Sequence, residues 1–131
     1  MNTGLMPFTA GRPITEAKAE LFKALAHPAR VRVLELLADG EHTMGELAEQ
    51  TGLEPSHLSQ HVTVLRRAGI VDSRRVKTSV ICGLRDPQTA ELLAVARRLL
   101  SRNLRQGQVL LAALNDADDA VALVGADRTS V

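Results

Sequence analysis

The chain has 131 residues, of which 45% are hydrophobic; that is enough to bury one core and too little for two full domains. Its two phenylalanines, with no tryptophan or tyrosine, exclude a protein built on stacking single-stranded bases. The single cysteine excludes an internal disulfide framework and a cysteine-rich zinc site, and a formal net charge of +1 argues, taken alone, against a nucleic-acid partner.

Residues 1–13 include Gly4, Pro7, Gly11 and Pro13 and show no periodicity, so they are expected to form a flexible arm. A first helix is predicted over Thr15 to Ala26, where Ala17, Leu21, Ala24 and Leu25 recur at helical spacing. His27-Pro28 breaks and restarts the chain, because proline suits the first helical position. The second helix is predicted to reach Ala38, with Val31, Leu34 and Leu37 inward, Arg30, Arg32 and Glu35 toward solvent, and Asp39-Gly40 as its stop. His42 is read as a loop residue.

Thr43 and Glu46 have the spacing of a capping box, which opens a short third helix ended by Gly52. Pro55 opens a fourth helix running to Ala68, with Gly69 as its stop. Two short helices joined by a tight glycine-containing turn predict a helix-turn-helix. At about 100° per residue, Leu58, Val62 and Leu65 share one stripe of the fourth helix. Ser56, Ser59, Gln60, Thr63 and Arg67 share the opposite one. That outward stripe is made of short groups that donate or accept hydrogen bonds, the kind that read base edges in a major groove. Ser56, Ser59, Gln60 and Thr63 are the candidate base readers, and His57, Arg66 and Arg67 the candidate backbone contacts.

Beyond Gly69 the period changes, predicting strands over Ile70 to Arg75 and Ser79 to Leu84 around a tip at Val76-Lys77-Thr78. Arg74, Arg75 and Lys77 sit near that tip, placed to follow a phosphate backbone or enter a minor groove. Residues 53–85 carry six basic side chains against Glu54 and Asp72, so a segment of +4 is hidden inside the near-neutral total. A last helix of about 28 residues, roughly 40 Å long, is predicted from Asp86-Pro87 to Leu114, with Gly107 as a possible interruption. Residues 115–131 are expected to be a flexible acidic tail. The domain is therefore placed at 14–114.

The fold class expected is mainly α with a small β-hairpin. The run ALAHPARVRVLELL from Ala24 to Leu37, and LEPSHLSQHVTVLRRAGIV from Leu53 to Val71, resemble the ArsR/SmtB family of dimeric winged-helix repressors. The resemblance covers about Lys18 to Leu104. It implies three helices, a recognition helix, a β-wing and a final helix, with a homodimer joined through the first and last helices. Leu21, Leu25, Leu93, Ala96, Leu100, Leu104 and Leu111 are the residues assigned to that interface. The leucines of the last helix, which occupy more than one stripe, point to a second copy independently. Such a dimer would address a near-palindromic operator with half-sites about one turn apart.

The chain departs from the family where other members sense. Met44 to Gln50 lacks the metal-binding cysteines, the last helix has no histidine through Leu114, and Cys82 has no second cysteine. No metal and no cofactor are expected, and the effector, a small molecule or a redox signal, is left open. His57 and His61 stand four apart, but Leu58 occupies the place where a zinc protease needs glutamate. No nucleophile–base pair or phosphate-cradling loop is visible, so an enzyme is not expected. The longest apolar run, Val109 to Leu114, is too short to span a bilayer. With no signal peptide visible, a cytoplasmic protein without a membrane partner is the expectation. The reading is a homodimeric repressor of sequence-specific duplex-DNA-binding type. Its rivals are a winged-helix protein–protein module and a thiol sensor acting through Cys82.

Overall fold

A computed structural model describes residues 13–123, with side chains described through residue 116. Residues 1–12 of the arm expected at 1–13, and residues 124–131 of the expected tail, lie outside the described residues. The order is α1 (Ile14–Leu25), α2 (Pro28–Ala38), β1 (His42–Thr43), α3 (Met44–Thr51), α4 (Pro55–Arg67), β2 (Val71–Val76), β3 (Ser79–Leu84) and α5 (Gln88–Leu123).

Local chemistry sets the boundaries in the body that ends at Leu93. His27 is the N-cap of α2, its Nδ1 accepting the Ala29 N–H at 3.0 Å, and Pro28 follows in the first turn. Thr43 and Glu46 form the predicted capping box: Thr43 Oγ1 accepts from Glu46 N at 3.0 Å, and Glu46 Oε1 from Thr43 N at 2.9 Å. Gly52 closes α3 at φ 73, a left-handed conformation that costs a residue with a Cβ about 1 kcal/mol or more. After α4, Gly69 at φ 78 lets its own N–H reach Arg66 O while Ile70 N reaches Leu65 O at 2.9 Å. That pair of bonds is a Schellman stop, and it turns the chain from helix into sheet.

The core gathers Val33, Leu34, Leu36 and Leu37 of α2, Leu47 of α3, Leu58, Val62 and Leu65 of α4, and Val71 and Cys82 of the sheet. Two details of α2 differ from the expectation. Val33 and Leu36 are buried and Val31 is only partly so, because α2 is covered from more than one side and its apolar arc is wider than one stripe. Arg30 is half-buried rather than solvent-facing. Its Nε donates to Ala24 O at 2.7 Å, supplying a partner for a carbonyl at the end of α1.

The wing is larger than a hairpin. β1 pairs antiparallel with β3, placing His42 opposite Cys82 and Thr43 opposite Ile81, so the sheet order is β1-β3-β2. His42, read as a loop residue, thus belongs to a two-residue strand that covers the free edge of β3. At the tip, Lys77 adopts φ 57, a left-handed position more often held by glycine or asparagine.

α5 is 36 residues long and continues through Gly107 and past Asn115, about 54 Å at 1.5 Å per residue. The flexible tail expected from residue 115 is therefore helical to Leu123. One interior glycine costs a helix only about 1 kcal/mol, and the alanines and leucines around Gly107 offset it. From Ala94 onward α5 is a unit of its own, separate from the body.

Candidate nucleic-acid interface

The two faces of α4 have opposite fates. Leu58, Val62 and Leu65 are buried to 2% exposure or less, which anchors the helix in the core. Ser56, Ser59, Gln60, Arg66 and Arg67 are exposed on the other side, and Thr63 is half-buried beside them. The four candidate base readers therefore share one surface, with the two arginines at its C-terminal end. The leading end of α4 carries a carboxylate that the sequence reading passed over. Glu54 is the N-cap residue, and its Oε1 accepts the Ser56 hydroxyl at 2.6 Å and lies 3.9 Å from Nδ1 of exposed His57.

His61 points the other way. Its ring meets that of His27 at 4.3 Å between centroids, across the α2–α4 contact. Burial, and then the nearby His27, Arg30 and His57, hold its imidazole below the usual histidine range. It is a half-buried histidine packed between helices, directed away from the outward surface of α4.

The wing cations separate into two groups. Alternation along β2 puts Arg75 on the sheet face of Val71 and Ser73, the face packed against the helices, and puts Arg74 on the other. Arg74 is held by Glu41 through two hydrogen bonds, at 2.6 and 3.1 Å, an interaction that lowers the Glu41 pKa and raises that of Arg74. Arg85 is tied in the same way to Asp72, at 2.6 and 2.9 Å. Arg75 and Lys77 are exposed and pair with no carboxylate among the described residues. Of the basic residues in 53–85, Arg66, Arg67, Arg75 and Lys77 are thus left open to a polyanion.

Cys82 is fully buried, its Sγ 3.4 Å from Met44 Sδ, and burial pushes its thiol pKa up. A thiolate, the reactive form, is therefore scarce at neutral pH. A disulfide reagent should modify Cys82 about 100-fold more slowly in the folded protein than in denaturant, limited by opening of the structure; equal rates would return the thiol-sensor reading to contention. Among the described residues, no cluster of three or more His, Cys, Asp or Glu could hold a metal ion, and no helix is long and apolar enough to cross a membrane.

The residues assigned to self-association divide as well. Leu21, Leu25 and Leu93 pack partly against the chain's own core. Ala96 is exposed, and Leu100, Leu104 and Leu111 are 63%, 67% and 56% exposed. Phe22, 55% exposed on α1, was missed by the sequence reading; its signal was an aromatic ring one position off the packed stripe.

A buried-faced helix that turns hydrogen-bonding groups outward, preceded by a tight turn and followed by a basic wing, defines the class of winged helix-turn-helix regulators. Comparison with known proteins gives the family. The model of bacterial regulatory proteins of the arsR family matches residues 27–73. The HTH-type transcriptional regulator Rv0081 of Mycobacterium tuberculosis is 53% identical over 93 residues, 70% of this chain and 82% of that protein. Its crystal structure superposes with a TM-score of 0.68 at 50% identity, covering 73% of this chain and 97% of the other. The biofilm growth-associated repressor of Agrobacterium fabrum is 38% identical over 93 residues, 71% of this chain and 80% of its own. A solution structure of a homodimeric winged helix-turn-helix DNA-binding domain from Mycobacterium bovis matches with a TM-score of 0.63 at 29% identity, covering 72% of this chain and 93% of that one. The chain belongs to the arsR family of transcriptional regulators.

Proposed function

We propose that the chain is a homodimeric repressor that binds a near-palindromic duplex operator and is released by a signal that its residues do not identify. The observation that carries this reading is the outward surface of α4, where Ser56, Ser59, Gln60 and Thr63 lie together above a buried apolar face and beside unpaired arginines. In this reading α4 enters the major groove and those four residues contact base edges. Arg66, Arg67, Arg75 and Lys77 hold phosphates, and His57 lies at the groove margin. Two further features support self-association. Phe22 on α1 and, separately, Leu100, Leu104 and Leu111 on α5 expose apolar surface that water disfavours, and the Mycobacterium bovis relative is homodimeric. Repression is favoured by the Agrobacterium fabrum relative, itself a repressor.

Binding of the full chain to duplex from its own upstream region, followed over a salt series, tests the reading. Wild-type affinity should fall steeply as salt rises, because released counterions drive the association. Arg75→Ala should reduce the slope of log K against log salt by about one unit. Arg74→Ala should reduce it by much less, since Glu41 already neutralises that guanidinium. An affinity independent of salt, or no difference between specific and scrambled duplex, would favour the protein–protein module instead.

A further inference from the structure

We infer that Glu54 is itself a base-reading residue and that, with Ser56, it makes the leading end of α4 select an exocyclic amino group in the major groove, cytosine N4 above all. Glu54 occupies the N-cap position of α4, yet its side chain caps no backbone N–H and is 64% exposed. The carboxylate is therefore not spent on holding the helix. Its Oε1 receives the Ser56 hydroxyl at 2.6 Å. A serine hydroxyl has one proton and two lone pairs, so once that proton is given to Glu54, Ser56 can only accept. The second carboxylate oxygen is also an acceptor. The Glu54 and Ser56 side chains thus offer acceptors alone, beside the ring of His57, which stands 3.9 Å from the same carboxylate.

That pattern discriminates among bases. Guanine presents N7 and O6 and thymine presents O4, all acceptors that face a carboxylate unfavourably. Cytosine N4 is a donor with no acceptor beside it on the same base edge. Adenine N6 is also a donor, but the adjacent N7 lone pair opposes the carboxylate. A phosphate is repelled outright, so Glu54 has no role in gripping the backbone. Gln60, with both a donor and an acceptor, suits adenine, and the two residues would read different letters.

The inference rests on the reading of α4 as the groove-binding helix, and the test separates the two. The full-length wild type and its variants each select from a pool of randomised duplexes. The wild type should enrich a site in which one position per half-site takes cytosine over thymine by about ten-fold or more. Glu54→Gln should move that position toward adenine, and Glu54→Ala should flatten it, while every other position keeps its preference. Ser56→Ala should keep the cytosine but weaken the preference. Both Glu54 variants should melt at the wild-type temperature, as no cap bond is lost, and should bind unselected duplex more tightly. Variants that enrich the same bases as the wild type, with equal strength at every position, overturn the role of Glu54 and leave the DNA reading standing. A wild type that enriches no duplex overturns both.

Discussion

Leu65→Ala is expected to lower the unfolding free energy by about 2–5 kcal/mol, the range for a buried leucine whose cavity only partly collapses. Leu65 is fully buried, and its carbonyl also accepts the Ile70 N–H in the turn that ends α4. Its side chain lies in one cluster with Leu34 of α2, Leu47 of α3 and Val71 of β2, so no single neighbour can move in to fill the space. Against a total stability of about 5–15 kcal/mol, the loss is large. Denaturant unfolding followed by circular dichroism, at fixed protein concentration, measures it. A change below about 0.5 kcal/mol, the size usual at the surface, would show that α4 is not anchored as described. Such a result would remove the basis for its outward face as well.

Gln60→Ala should leave folding intact and strike recognition. Gln60 is exposed on the same face as Ser56 and Ser59, and its side chain has no hydrogen-bond partner among the described residues. A bidentate amide–adenine pair contributes about 1–3 kcal/mol of discrimination, so the variant should lose roughly 5- to 150-fold in affinity for its operator. Affinity for unrelated duplex should stay within two-fold or so, because no charge changes. Titration of matched duplexes that differ at one base pair reads both numbers. Equal losses on specific and unrelated DNA would mean that Gln60 supports the helix rather than reading a base. Loss on the operator alone, confined to one position per half-site, would establish the reading.

Much of the recognition unit was legible because the interactions that make it are local. His27 before Pro28, the Thr43–Glu46 box, Gly52, Pro55 and Gly69 each act on backbone groups within a few residues, and each stands where the pattern placed it. The stripe of α4 was legible for the same reason, since a 3.6-residue period sorts side chains before any partner is known. The length of α5 was not. Gly107 and the aspartates after Asn115 are weak local signals against helix, and the surrounding alanines and leucines outweigh them.

The sequence by itself determined the helix-turn-helix, the polarity of the outward face of α4 and the run of cations that follows. Only the tertiary structure decided which of those cations are available, because Arg74 and Glu41 are 33 positions apart and no periodicity links them. It also decided that Arg30 turns inward to a carbonyl of α1, that His42 belongs to a strand opposite Cys82, and that Cys82 lies sealed in the core. Helix caps and stripes arise from neighbours in the chain. Ion pairs, edge strands and burial arise from segments brought together by folding, and those decide which groups of the proposed surface remain free to meet DNA.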